Sequence, residues 1–327
     1  MKQVWRILVA VLAIGALAAG GTVAFAQRGG GKGHAKKAAA ERQFTFPAGD
    51  LEGNPEGVAF DKRTNTFFVG SRGDGTIFSG RPNQAGNELS VFIDGQAGRS
   101  ALGMKVRRGK LYVAGGDTGT ITVYDLRTRK QVAQFQTGSG GFLNDLVVTG
   151  RGDVFVTDSF RPTLWHVTAA QVRAGSGTPQ PLDVSSGIDF VAGQFNLNGI
   201  VAKSSHKLVV VQSVNGKLFR IDLNRSRDAI RRIDLIEGAT VPGGDGMILD
   251  RGRLVVVQGG DSPRIAFVKL RRDARRADVR ATRTSNLLEG PSTIARAKKL
   301  YLVVNANFDP AAGTPNVAAL LRNGREH

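Results

Sequence analysis

Short apolar runs, each closed by a turn containing Gly, Asp or Asn, recur along the chain from Gln43 onward. One stretch displays the unit plainly. Gly103 to Val106 predicts a first strand, Arg107-Arg108-Gly109 a turn, and Lys110 to Ala114 a second strand. After a Gly115-Gly116-Asp117 turn, a third strand over Thr120 to Leu126 and a fourth over Gln131 to Phe135 complete it. The order returns as Gly199 to Val201, Leu208 to Gln212, Lys217 to Leu223 and Arg231 to Ile236. Leu208-Val209-Val210-Val211 is apolar without a break, which predicts an inner strand covered on both faces.

A short pattern opens each unit: a turn residue, a variable position, a small residue and an apolar run. It occurs at Pro55-Glu56-Gly57-Val58, Ala101-Leu102-Gly103-Met104 and Leu143-Asn144-Asp145-Leu146. It occurs again at Leu197-Asn198-Gly199-Ile200, Gly244-Asp245-Gly246-Met247 and Gly290-Pro291-Ser292-Thr293. The variable positions are 46, 42, 54, 47 and 46 residues apart, and a four-stranded propeller blade needs about 40–50. The prediction is an all-β, six-bladed β-propeller over residues 43–327.

The sixth unit is one strand short, offering Ser292 to Ala295, Leu300 to Asn305 and Val317 to Arg322. A spare strand, Gln43 to Phe46, precedes the first unit. Joining the two closes the ring and removes an exposed edge.

Ahead of the propeller, Lys2 and Arg6 flank the apolar stretch Ile7 to Ala19, and Ala24-Phe25-Ala26 offers a small-x-small cleavage site. Residues 1–26 therefore predict a signal peptide and export; an uncleaved anchor is the alternative, and either places the remainder outside. Residues 27–42 form a basic Gly/Lys/Ala-rich linker. The chain has no cysteine, which excludes disulfides, thiolate metal sites and cysteine nucleophiles. Its net charge of +18 is concentrated partly in this linker and partly in the run Arg271 to Arg283. Neither run is interleaved with aromatics, so specific nucleic-acid binding is not expected. A solvated outer strand in loose contact with anionic cell-envelope polymers is.

Equivalent positions of successive blades form a ring about the axis. Here the ring reads Glu56, Leu102, Asn144, Asn198, Asp245 and Pro291. Two carboxylates converging on one mouth repel and two carboxamides cannot neutralise them, so a hard cation resolves the repulsion, and calcium prefers such oxygens, commonly six to eight of them. Without His or Cys in the ring, zinc is less natural. The competing reading is turn chemistry, since Asn and Asp favour turns and Gly57, Gly199 and Gly246 follow directly.

Pro55 to Asp61, Phe142 to Asp145, Leu197 to Ile200 and Gly244 to Asp250 resemble the gluconolactonase and senescence-marker-protein-like superfamily, with paraoxonase and strictosidine-synthase-like proteins more distant. The resemblance spans the predicted propeller. It implies Glu56, Asn198 and Asp245 as metal ligands, Asn144 as a ligand as in paraoxonase-like members or a substrate contact as in gluconolactonase-like ones, and hydrolysis of a lactone or ester whose carbonyl the metal polarises. Three features depart from it: Phe142 and Leu143 stand where a basic residue is common in gluconolactonase-like members, Leu102 and Gly103 where paraoxonase-like members have a histidine, and no residue matches the glutamate base of strictosidine-synthase-like members. Catalytic machinery therefore transfers less well than the metal site.

Asp145 and Asp245 are the candidate catalytic carboxylates; Asp145 directly follows Asn144 and is placed either to hold its amide or to act as a base. His166 and His206 are expected to be structural, and Ser292 lacks a visible His-Asp partner. Arg72-Gly73-Asp74 and Arg151-Gly152-Asp153 spell an adhesion tripeptide but match ordinary turn chemistry. No Gly-rich phosphate loop is recognisable. Phe142, Leu143, Leu102 and Phe308 suggest a hydrophobic mouth. The expected function is that of a secreted monomeric hydrolase dependent on a divalent metal, with calcium favoured, acting on a small lactone or ester. The alternative is a secreted, non-catalytic propeller that binds a ligand or protein, with a structural calcium in the channel.

Overall fold

The computed structural model describes residues 41–47, 54–225, 227, 229–308 and 314–322. The signal segment 1–26 and linker residues 27–40 lie outside this set.

Blade one consists of β2 (Pro55–Asp61), β3 (Thr66–Ser71), β4 (Ile77–Gly80) and β5 (Ser90–Ile93). Blade two is β6 (Met104–Arg107), β7 (Lys110–Ala114), β8 (Thr120–Asp125) and β9 (Gln131–Gln136). Blade three is β10 (Leu143–Val148), β11 (Val154–Asp158), β12 (Thr163–Val167) and β13 (Gln180–Asp183), with helix α1 (Ala169–Ala174) before its last strand. Blade four is β14 (Leu197–Ser204), β15 (Lys207–Gln212), β16 (Lys217–Asp222) and β17 (Ile230–Arg232). Blade five is β19 (Gly244–Asp250), β20 (Arg253–Gln258), β21 (Arg264–Leu270) and β22 (Arg276–Arg283), with the short β18 (Asp234–Leu235) added at its edge. Blade six is β23 (Pro291–Ala297), β24 (Leu300–Asn305), β25 (Asn316–Leu321) and β1 (Arg42–Thr45).

The fold is thus the expected six-bladed propeller, and the N-terminal strand closes it. Phe44 pairs with Val317 in β25, while the Thr45 N–H donates to the Asn87 carbonyl of blade one at 3.0 Å. Arg42 already belongs to the strand, so the linker ends before it.

Six apolar clusters hold the ring together, one at each interface between neighbouring blades. This explains the unbroken apolar run in β15. Leu208 and Val210 pack toward blade three, whereas Val209 and Val211 pack toward blade five. Alternation persists, but both faces meet a core.

Two segments depart from expectation. The predicted strand Arg231 to Ile236 breaks after Arg232: Asp234–Leu235 leaves blade four and pairs in parallel with Arg276 and Ala277. Burial of Ile233 and Leu235 in the core between blades four and five redirects the chain. Helix α1 is too short to show a helical period, and a capping box between Thr168 and Gln171 starts it. In the basic run Arg271 to Arg283 the side chains of Arg271, Arg272, Arg275, Arg276 and Arg280 are exposed, on the turn before β22 and on β22 itself, although Arg283 is buried against Glu41.

Candidate metal centre

Glu56, Asn144, Asn198 and Asp245 each occupy the second residue of an innermost strand, β2, β10, β14 and β19. In all of these strands the pairing register shifts at that residue, between Pro55 and Gly57, Leu143 and Leu146, Leu197 and Ile200, and Gly244 and Met247. Such bulges re-aim a side chain. The ring residues are therefore strand residues turned out of the ladder, not caps of turns. The glycines that follow have an equally specific reason. A Cβ on Gly57 would lie 1.8 Å from the Leu102 carbonyl oxygen, and one on Gly199 would lie 2.2 Å from that of Asp245. Successive inner strands touch backbone to backbone there.

Each of the four side chains carries a buried oxygen with no hydrogen-bond partner: Glu56 Oε2, Asn144 Oδ1, Asn198 Oδ1 and Asp245 Oδ1. Burying one such atom unpaired is costly, and a set of them at equivalent ring positions points to a ligand. Asn144 is oriented by a defined chain of donors. Its Nδ2 donates to Ser159 Oγ at 3.1 Å, and Ser159 donates its proton to the Leu197 carbonyl at 2.6 Å. The Asn144 carbonyl oxygen is thereby left for the ring. The backbone carbonyls of the ligand positions are also clamped: Asn198 accepts from Thr157 Oγ1 at 2.8 Å, and Glu56 accepts from Ser292 Oγ at 2.9 Å and from Thr293 Oγ1.

The electrostatics suit a site that receives a cation. Burial, then the charges of Asp245 and Asp145, push Glu56 well above the usual carboxylate range, against the opposing pull of Lys105 and Arg72. Asp245 is pushed up to about 8 by burial and Asp145, despite hydrogen bonds from Asn198 and the Gly246 N–H. Among the described residues, no cluster of three or more His, Cys, Asp or Glu side chains is arranged to hold a metal. The present set is instead two carboxylates and two carboxamides, a hard-oxygen composition that fits calcium.

An aromatic patch adjoins the ring. Phe142, Phe160 and Phe195 pack with ring centroids 5.0–5.7 Å apart, and the Arg72 guanidinium stands 5.5 Å from the Phe142 ring. All three phenyls are tied to the ring by sequence: Phe142 precedes Asn144 by two residues, Phe160 follows Ser159, and Phe195 precedes Asn198 by three. Asp158 fixes their loop by accepting from the N–H groups of Phe142, Phe160 and Arg161 at 2.9–3.1 Å. Phe160 is 45% and Phe308 46% exposed. Leu102 and Leu143 are buried and take no part in the mouth.

Asp145 is buried, and its oxygens accept from Lys105 Nζ at 2.7 Å, from the Leu146 N–H at 2.8 Å and from the Ile200 N–H at 3.4 Å. Ser292 is fully buried with its proton on backbone carbonyls, a structural role. His166 and His206 line a cavity of about 350 Å³ on the side of blades three and four, away from the ring. Asp74 accepts from Ser71 and Thr76, which fixes the Arg72-Gly73-Asp74 turn. The residues that sequence reasoning missed are Ser159, Thr157, Asp158, Lys105 and Arg72, together with Ser100 and Asn307. The last two carry further orphaned oxygens, in blades two and six, where the ring positions are Leu102 and Pro291.

No protein-family model matches the chain, and no curated protein matches it. Solved structures do. The major allergen Mala s 1 of Malassezia sympodialis is 14% identical with a TM-score of 0.61, over 84% of this chain and 96% of that one. Streptogramin B lyase is 12% identical with a TM-score of 0.55, over 86% and 98%. The WD40 propeller domain of Doa1 is likewise 12% identical at 0.55, over 83% and 79%. At these identities the likeness establishes the β-propeller fold and no more.

Proposed function

We propose that the protein is an exported, calcium-dependent hydrolase of a lactone or ester with an apolar body, akin to the gluconolactonase and senescence-marker-protein-like superfamily. The observation that carries this reading is the set of four orphaned oxygens beside a phenyl cluster whose outermost member, Phe160, is exposed. Glu56, Asn144, Asn198 and Asp245 would hold the ion. Calcium bound there would act as a Lewis acid toward the substrate carbonyl.

The chain's own groups supply the rest. Phe142, Phe160 and Phe195 receive the apolar body of the substrate and exclude water from one side of the ring. Asp245, at the second position of its inner strand in the ring, is the base that takes a proton from the attacking water. Water oxygen bonds to the carbonyl carbon, the bond to the alkoxide breaks, and the alkoxide takes up a proton. Asp145, engaged by Lys105 and two backbone amides, acts by positioning.

A second reading, a binding propeller with a structural calcium, is favoured by one observation: both described histidines lie away from the ring, which leaves only carboxylates there to act as base, two of them proposed metal ligands. Elemental analysis of the purified chain beside Asp245→Ala tests the shared core of both readings. Stoichiometric calcium in the parent and none in the variant supports the site, and no metal after calcium is supplied overturns it. Chelator-sensitive turnover of aryl esters or hydrophobic lactones then separates the enzyme from the binding propeller.

A further inference from the structure

We propose that Lys105 is a built-in counter-charge of the channel: by pairing with Asp145 it sets the charge of the cup to suit a divalent ion and not a trivalent one. This rests on the metal reading above.

Blades one, two, four and five carry Gly57, Gly103, Gly199 and Gly246 directly after the ring position, because the next blade's backbone leaves no room for a side chain. Blade three alone puts a carboxylate there, Asp145. Blade two makes room for it, since a Cβ on Gly103 would lie 2.6 Å from Asp145 Oδ1. Blade two also supplies the partner. Its ring position is the apolar Leu102, yet three residues later Lys105 reaches across the interface to within 2.7 Å of Asp145. The pair lies 40 residues apart in sequence and joins two blades directly beside the ring.

Charge decides what the pair does. Asp145 directly follows the ring residue Asn144, and its carboxylate accepts from the Ile200 N–H, two residues past Asn198, at 3.4 Å, so the pair lies against the ring on two blades. Three carboxylates and one ammonium sum to −2, which a calcium ion neutralises. On the side away from the ring, the Lys105 stem lines a cavity of about 150 Å³ with Val58, Val106, Ile248 and Ile294. Arg296 lines it too and is held by Asp250 at 2.8 Å.

Removing the ammonium leaves −3. One added unit of negative charge attracts a trivalent ion more than a divalent one. At several ångströms, with an effective dielectric of about 20, the ratio of their affinities shifts on the order of tenfold or more. Half-exposed Arg72 at the mouth is common to all variants and cancels in the comparison.

The test is titration of the chelator-treated chain with calcium and, separately, with terbium, for the parent and for Lys105→Met, Lys105→Arg, Asp145→Asn and the double variant Asp145→Asn/Lys105→Met. Lys105→Met is expected to favour terbium over calcium by tenfold or more relative to the parent, and Lys105→Arg to match the parent. Asp145→Asn leaves the cup at −1 and is expected to weaken calcium at least tenfold. The double variant, again at −2, is expected to return close to the parental ratio. Should Lys105→Met fail to fold around an unpaired carboxylate, the single Asp145→Asn and the double variant still carry the comparison. Calcium binding with an unchanged terbium-to-calcium ratio in Lys105→Met, or no recovery in the double variant, would overturn the proposal. A parent that binds neither ion defeats the metal reading itself and this inference with it.

Discussion

Ser159 fixes the amide of Asn144: it accepts from Nδ2 at 3.1 Å only because its own proton is committed to the Leu197 carbonyl at 2.6 Å. The hydroxyl thus decides which end of the carboxamide faces the ring, and it does so from the loop that also carries Phe160. Ser159→Ala frees the amide to rotate and present its NH₂ to the cation. Metal affinity is expected to fall by about tenfold to a hundredfold, as losing an outer-shell partner commonly does. Calorimetric titration with calcium checks this; unchanged affinity would mean that the orientation is set elsewhere.

The raised carboxylates tie stability to pH in a definite direction. Glu56 and Asp245 hold protons more tightly in the folded chain than in the unfolded one, with Asp245 at about 8. Between the unfolded carboxylate range, near about pH 4, and about pH 8, the folded state binds more protons, so stability falls as pH rises. Below the unfolded values the contribution is fully present. Metal-free protein should therefore melt progressively lower from about pH 5 to about pH 8, and saturating calcium should raise the melting temperature by more at the upper end. A calcium effect larger at pH 5 than at pH 8 would contradict the ligand assignment.

The phenyl patch predicts a substrate preference. Phe160 is 45% exposed and packs on Phe142 and Phe195, so its ring serves contact more than core. Phe160→Ala is expected to raise KM for aryl or alkyl-chain esters roughly tenfold, the loss of about 1–3 kcal/mol of apolar contact, with kcat and thermal stability nearly unchanged. An equal effect on small polar lactones would remove the patch from substrate recognition.

The repeat and the ring were legible in the sequence because both repeat at blade spacing. Glu56, Asn144, Asn198 and Asp245 stand out only when six segments are laid over one another, and the closing strand only when the sixth is found short. What stayed hidden comes from contacts between blades. Lys105 meets Asp145 across 40 residues, and Ser159 reaches Leu197 across 38; no local pattern announces either. Gly57, Gly199 and Gly246 read naturally as turn residues. They lie inside strands, and their cause is a neighbour's backbone. Leu143 reads as a mouth residue by adjacency, yet it lies in β10 and packs in the core between blades two and three; Leu102, ahead of β6, is buried too.

Ring closure is open to test at Phe44. It is fully buried in the strand contributed by the N-terminus and meets the Phe67 ring edge-on at 4.9 Å, joining blade six to blade one. Phe44→Ala should cost about 3–5 kcal/mol. The loss should appear as a lower denaturant midpoint, with the ring and its metal affinity little altered below the transition. A loss under about 1 kcal/mol would mean that the closing strand contributes little to holding the ring shut.

Gly199 separates packing from turn chemistry at the metal ring. Were it a turn glycine, its need would be a left-handed backbone, and alanine would cost about 1–2 kcal/mol of strain without touching the next blade. Gly199 instead lies within a strand, and its missing Cβ would sit 2.2 Å from the Asp245 carbonyl oxygen and 2.9 Å from Met247 Cγ. Backbone cannot rotate aside as a side-chain tip can, so blades four and five must part where Asn198 and Asp245 hydrogen-bond. Gly199→Ala is therefore expected to lower both stability, by about 1–3 kcal/mol or more, and calcium affinity. Gly86→Ala, at a position with open space around the added Cβ, is the matched control and should change neither. Loss of stability with full calcium affinity would show that blades four and five can separate without disturbing the pair. The ring geometry would then depend on the bulges within each strand and not on contact between blades.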